Sequence, residues 1–362
     1  MPIRQRFDTL LLATAVVQVG VGLALMASAS WVIASERYGR PGSYFFSWQA
    51  ATALIGLGAM VVCMHLRSHL LVDVRVARAA LVVSWGALGL AFLQPPIAAT
   101  HRWLTVGGVS LQPSVIARLA VTMVAAVELA GARAEGWRPA RLLRLAAVGV
   151  VTAGLVVAEP DLGSAALILL VLGAMAFVSG MPLRLLAAPV AVAGCALVLA
   201  VVSSPYRLAR VRAFFDPSLS SAADWQSLQS LIAVGSGGLI GRGYGAGLQK
   251  LFFLPEPHTD FVFAIAGEEL GLVGVLALVA LAAVVTWRAL RIAARLEGTR
   301  ALLAFGLGFV FAAQSLVHMA VCLDLLPPKG IPLPLVSYGK TDLLVSLTSL
   351  GLLLNLSREA GS

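Results

Sequence analysis

A run of roughly 20 predominantly apolar residues is long enough to cross the hydrocarbon of a bilayer as a helix. This chain of 362 residues holds ten such runs in series, at about 9–34, 49–66, 75–94, 111–131, 141–158, 162–180, 183–202, 258–287, 301–323 and 335–356. A helix answers every backbone N–H and C=O within the segment, so it is the form these runs take where no water can do so. The expected fold is an all-α polytopic membrane protein of about ten transmembrane helices, built as a single integral membrane domain over 1–362. Composition agrees: 59% of residues are hydrophobic and 12% charged, where soluble domains have about 45–50% and about 25%.

The net charge of +9 would suit a nucleic-acid partner, but the positions of the basic residues speak against one. They sit in short runs between apolar stretches, as membrane topology requires. With the N-terminus inside, the cytoplasmic segments hold Arg4, Arg6, Arg67, Arg75, Arg78, Arg133, Arg138, Arg141, Arg144, Arg184, Arg288, Arg291, Arg295, Arg300 and Arg358. The short outer loops hold Arg37, Arg40, Arg102 and Lys329. Both termini are therefore expected in the cytoplasm, with one large extracytoplasmic loop, 203–257, between helices 7 and 8. Arg4 and Arg6 before the run Leu10–Met26, with Ala27-Ser28-Ala29 after it, have the outline of a signal peptide. The run is too long for one and more spans follow, so a retained first helix is expected. Cys63, Cys195 and Cys322 lie far apart in apolar stretches and form neither a disulfide framework nor a metal spacing.

Within 203–257, residues 206–215 are basic and aromatic, and 225–232 mix apolar and small polar residues at helical spacing. Both suit helices lying at the headgroups. Gly235–Gly247 has seven glycines in thirteen residues. Lacking a following Gly-Lys-Ser/Thr it is no phosphate loop, and it is expected as a flexible or tightly turning loop over the membrane surface.

Ionisable residues inside spans are costly and mark function or internal pairing. Here they are Arg118, Glu128, Asp260, Glu268, Glu269, Lys340 and Asp342, with Glu159 and Asp161 in a short outer turn. Asp260 opens an apolar helix whose positive dipole end favours a carboxylate, while low dielectric opposes ionisation; a plain capping role would also place an Asp there. Glu268 and Glu269 lie more than two turns deeper and are expected to pair internally. Glu128, near the inner face, suits a solvated or structural role. Arg118 needs an anion: Asp260, Asp161 or a ligand phosphate. His258 is expected to shape the entry to its helix, and His65 and His69 to lie at a solvated helix end.

Four motifs, in order, closely resemble the SEDS family of membrane peptidoglycan glycosyltransferases, typified by FtsW, RodA and SpoVE. They are Glu159-Pro-Asp-Leu-Gly163; Gln229-Ser-Leu-Ile-Ala-Val-Gly-Ser-Gly-Gly238; Leu254-Pro-Glu-Pro-His-Thr-Asp-Phe261 with Gly267-Glu-Glu-Leu-Gly271; and Gly330-Ile-Pro-Leu-Pro-Leu-Val-Ser-Tyr-Gly339. Pro255-Glu-Pro-His-Thr-Asp260 and Glu36-Arg-Tyr-Gly39 look more like the division-type than the elongation-type members. The resemblance implies polymerisation of lipid II, an undecaprenyl-diphosphate-linked disaccharide-pentapeptide, at the outer face of the bacterial plasma (inner) membrane. It also implies partnership with a class B penicillin-binding protein and with other divisome or elongasome membrane proteins.

In that family the Asp of His-Thr-Asp, here Asp260, is catalytic. Carried over with it as substrate-binding candidates are Arg102, Trp103, Gln112, Ser114 and Asp161, and Arg118, His258, Ser337 and Lys340 are further candidates for the same role. One carboxylate can serve as general base toward a sugar hydroxyl. The lipid diphosphate leaving group needs cations rather than a general acid, and Arg102, Arg118, Arg207, Arg210, Arg212 and Lys340 are available. A divalent cation, Mg or Mn, can share that role, although no closed ligand set is visible. The chain also departs from the family: Val115 stands for the usual Glu and Arg118 for the usual Lys, while Lys340-Thr341-Asp342 replaces Gly-Ser-Ser. Two alternatives stay open, a lipid II flippase and a non-catalytic scaffold for the penicillin-binding protein.

Overall fold

The computed structural model describes residues 7–96, 100–215 and 222–361; Arg4 and Arg6, used above for orientation, lie outside them. The chain begins with α1 (Thr9–Glu36), α2 (Tyr44–His65), the single turn α3 (Ser68–Leu71) and α4 (Val74–Ala91). A small antiparallel ribbon of β1 (Leu104–Val106) and β2 (Val109–Leu111) leads into α5 (Pro113–Ala134). Next come α6 (Pro139–Ala158), α7 (Leu162–Val178), α8 (Leu183–Val202), α9 (Pro205–Phe215) and α10 (Ala222–Ser236). Helices α11 (Val262–Ala294), α12 (Gly298–Cys322) and α13 (Lys340–Glu359) complete the bundle.

Among the described residues, eight helices are long and apolar enough to cross a membrane: α1, α2, α4, α5, α6, α8, α11 and α12. Two more stand where spans were expected. Helix α7 is apolar but has 17 residues, and α13 has 20 residues with charges in its first and last turns. Most residues of α5 and α12 are buried, which puts these helices at the centre of the bundle, whereas α8 buries none and lies on its outside. One continuous apolar core runs from Leu11 to Leu356.

Polar contacts fix which ends lie together. The Asp8 N–H donates to Ser357 Oγ at 3.1 Å, and Arg288 Nε to Asp8 Oδ2 at 2.5 Å. The start of α1 and the ends of α11 and α13 therefore share one end, as the distribution of basic residues requires of the two termini. Glu128, 2% exposed, closes a cluster with Arg78 at 2.9 Å and with Arg141 and Arg144 at 3.2 Å. It is a structural clamp joining α4, α5 and α6 rather than a solvated group.

Helix α11 is broken at Gly271 (φ 66°, ψ −164°), a backbone region nearly closed to residues with a side chain. The break leaves the carbonyls of Glu268 and Glu269 and the N–H groups of Leu272 and Val273 without their helical partners. Residues 237–243 supply replacements. The N–H groups of Arg242 and Gly243 donate to the Glu268 and Glu269 carbonyls, both at 3.0 Å. The Gly238 and Leu239 carbonyls accept from Leu272 and Val273 at 2.9 and 3.2 Å. This bears out the tightly turning half of the expectation: the Gly-rich stretch docks its backbone against α11 while most of its residues stay exposed. The contact needs its glycines, since a Cβ on Gly241 would lie 2.1 Å from the Glu269 carbonyl oxygen.

The two carboxylates of the same turn hold the loop from the other side. Glu268 accepts from the N–H of Leu248 at 2.7 Å and of Gln249 at 3.1 Å. Glu269 is fully buried and accepts from Lys250 Nζ at 2.6 Å, Ser28 Oγ at 2.7 Å and the Gly245 N–H at 3.0 Å. Lys250→Met would leave this charge buried without its cation and should cost about 3–5 kcal/mol. In thermal unfolding of the detergent-solubilised protein, Lys250→Met should melt well below the double variant Lys250→Met/Glu269→Gln; equal melting points would refute the pairing.

Candidate active site

At the end of the bundle away from the termini, a cavity of about 610 Å³ opens between five segments and Gln226 of α10. Its walls are the loop at Thr100 and Arg102, the start of α7, the α8–α9 corner, the turn before α11 and the segment Pro327–Ile331. Asp260 lies on this wall, two residues ahead of the first turn of α11. Its N–H donates to the Glu256 carbonyl at 3.1 Å, which winds residues 256–260 into a tight turn. Its side chain lies against Gly330, where an added Cβ would stand 3.2 Å from Oδ2. Burial first, then the Glu256 charge, push the Asp260 carboxyl up to about 6, against the pull of Thr259, Arg210 and Arg102.

Arg102 and Asp161 line the same cavity. The Arg102 guanidinium donates to the Pro160 carbonyl. Asp161 caps α7: Oδ1 accepts the Ser164 N–H at 3.1 Å, while Oδ2 accepts Ser164 Oγ at 2.7 Å and Gln112 Nε2 at 3.1 Å. Gln112 thus reaches the site through Asp161. Beside it, Glu159 is fully buried, and its carboxylate makes no hydrogen bond among the described residues. Burial, then Asp161, raise Glu159 to about 8 against the opposing Arg102 charge, so it is protonated near neutral pH and adds no negative charge to the site.

The other candidates are placed elsewhere. Arg118, 6% exposed, pairs with Asp342 of α13 at 3.0 Å, and Gln314 Nε2 of α12 donates to the same oxygen at 2.9 Å. That answers its need for an anion inside the bundle and corrects its assignment to substrate. Lys340 lies over the Trp48 ring, 4.7 Å from its centroid, and not against Asp342. Ser337 Oγ accepts the Leu333 N–H at 2.9 Å and closes a turn. His258 is packed between Phe45 and Tyr338, with ring centroids at 4.9 and 5.6 Å. Burial and Arg37 lower it to about 4, so it stays neutral among these rings, and it does not line the cavity. Ser114 is buried and Trp103 half-buried, and neither lines the cavity.

The cavity instead recruits residues outside the family motifs. Arg207 and Arg210 of α9 line it with Gln226 of α10, so the stretch read as an interfacial helix turns cations toward Asp260. Arg207 Nη1 donates to the Ala200 carbonyl at 2.9 Å, and Arg210 Nη1 to the Pro328 carbonyl at 3.3 Å. Lys329, counted above only for topology, completes the set. The arrangement is one carboxylate poised near neutrality within a wall of cations, suited to taking a proton while stabilising an anion.

Comparison with known proteins agrees over the full length. The model of the FtsW/RodA/SpoVE family, described as cell cycle proteins, matches residues 8–362. The chain is 35% identical to the probable peptidoglycan glycosyltransferase FtsW of Trichlorobacter lovleyi, over 97% of this chain and 93% of that protein. It is 37% identical to the protein of the same name from Thioalkalivibrio sulfidiphilus, over 98% and 90%. Among solved structures it resembles a chain of a peptidoglycan synthase complex that coordinates polymerization and crosslinking, with TM-score 0.76, 25% identity and 98% of both chains covered. It also resembles the rod shape determining protein RodA of Thermus thermophilus, with TM-score 0.72, 26% identity and 98% and 97% of the two chains covered. With a matching fold, matching length and motifs in family order, this chain belongs to the FtsW/RodA/SpoVE family of multi-pass membrane proteins.

Proposed function

We propose that this protein is a peptidoglycan glycosyltransferase that polymerises lipid II at the outer face of the bacterial plasma membrane, with Asp260 as general base. The observation that carries the reading is the Asp260 carboxylate, raised to about 6, opening into a cavity walled by Arg102, Arg207 and Arg210. In the reaction, Asp260 takes the proton of the acceptor sugar's 4-hydroxyl as that oxygen bonds to the donor's anomeric carbon. The bond from that carbon to the lipid diphosphate breaks, and the diphosphate leaves as an anion facing the cations. A leaving group already stable as an anion needs no general acid, which fits a site with one poised carboxylate.

The basic residues at the termini's end of the bundle support an outer-side position for the cavity. A class B penicillin-binding protein is the proposed partner, in keeping with the coordinated polymerization and crosslinking of the structural relative. The FtsW names of the curated relatives favour septal synthesis. Among the described residues no three acidic, histidine or cysteine side chains converge on a metal position. A Mg or Mn ion would therefore be held largely by the substrate diphosphate, with Asp161 as an added oxygen ligand, and would neutralise phosphate charge.

Two outcomes test this. Asp260→Asn should lower glycan-strand synthesis from lipid II by roughly 100-fold or more with an unchanged melting point; full activity in this variant would end the reading. Because the base must be ionised, and burial raises rather than lowers its pKa, kcat/KM should fall about tenfold per pH unit below about 6. A rate that stays flat down to pH 4.5 would show that Asp260 is not the base.

A further inference from the structure

We infer that Lys329 is the residue that takes the diphosphate of the glycosyl donor and holds it as it leaves, a cavity cation that no protein group binds among the described residues. The inference rests on the glycosyltransferase reading and deepens it. Four cations line the cavity, and three of them are already engaged: Arg102 with the Pro160 carbonyl, Arg207 with the Ala200 carbonyl, and Arg210 with Pro328 and Gln226. Among the described residues the Lys329 ammonium has no hydrogen bond and no ion pair, although it is half-buried.

A half-buried ammonium without a partner is costly, and its surroundings make it more so. Burial and the charges of Arg210, Arg207 and Arg102 lower its pKa, with Asp161 alone opposing them. The acids facing the cavity do not relieve it. Glu256 pairs with Arg37 at 3.3 Å, and Asp161 is occupied by Ser164 and Gln112. Asp260 lies against Gly330, the next residue in the chain. An anion is what the Lys329 ammonium lacks among the described residues, and a diphosphate supplies it.

Position argues the same way. The Lys329 carbonyl accepts the Ile331 N–H at 2.9 Å, folding a tight turn around Gly330, whose missing side chain leaves the Asp260 carboxylate open. The base and the unpaired cation are thus one residue apart along the cavity wall. A glycosyl donor lying between them would present its anomeric carbon toward the base side and its diphosphate toward the ammonium. The flexible four-carbon stem of lysine can follow the phosphate as the bond breaks.

The test is binding of a polyprenyl diphosphate, the expected leaving group, to the full-length protein in detergent, measured by calorimetry in Asp260→Asn, which cannot turn over. Adding Lys329→Gln should weaken binding roughly 10- to 100-fold, the worth of a charge-assisted contact. Lys329→Arg should restore most of it. The corresponding polyprenyl monophosphate should lose less than the diphosphate on Lys329→Gln. Unchanged diphosphate affinity in a Lys329→Gln protein that melts normally would overturn the inference and leave the role of Asp260 untouched. Turnover by Asp260→Asn would instead overturn the reading on which it rests.

Discussion

The structure depends on the way its broken helix is repaired. In hydrocarbon a backbone N–H or C=O with no partner costs several kcal/mol, so α11 can break at Gly271 only because residues 237–243 take over the missing bonds. The repair splits α11 into two pieces. The shorter piece is locked to the Gly-rich loop by its backbone and by Glu268 and Glu269. Asp260 stands just ahead of that piece. The carboxylate is therefore carried on an element fixed at both ends, by the loop below and by the 256–260 turn above. A catalytic group held this way loses little orientation freedom when substrate arrives.

The same economy sorts the charges. Deep in the bundle each ionised group has a partner close by: Lys250 with Glu269, Arg118 with Asp342, and Glu128 with its three arginines. At the cavity the pattern changes. Arg102, Arg207 and Arg210 donate to carbonyls or an amide, so the protein positions them along the wall. Glu159 lies behind the wall as a neutral acid. The resulting field is positive around a carboxylate that still titrates near neutrality, a combination that closed ion pairs would not permit.

The spans, the shared end of the termini and the place of Asp260 ahead of a helix were legible because each depends on local pattern: apolar length, basic flanks, an acid at a helix start. What escaped depends on contacts distant in sequence. Nothing near Arg118 announces that its anion is Asp342, 224 positions away. The Gly-rich stretch reads as a loop from its composition, and only the broken ladder of α11 shows why its backbone must dock there. Lys329 is one basic residue in an outer loop until the fold brings α9 and the Pro160 turn to face it. Lys340 shows the converse: it looked like a cation for substrate, and Trp48 holds it.

The departures from the family pattern can be settled on the same contacts. Val115 in place of an acid removes the partner expected close to Arg118 on its own helix, and Asp342 in place of a small residue would bring an unpaired acid into the bundle. Each alone would leave a buried charge uncompensated, at several kcal/mol. Together they make one pair, 3.0 Å long and braced by Gln314, that ties α5 to α13 across the centre of the bundle. Gln314 also donates to the Pro332 carbonyl at 2.8 Å, joining the pair to the segment that carries Lys329 and Gly330. The exchange thus moves an ionic contact from within one helix to between two and keeps it coupled to the cavity wall. Neither change places a side chain in the cavity or removes one from it, so these substitutions, the chief motive for reading the chain as an inactive scaffold, leave the site intact.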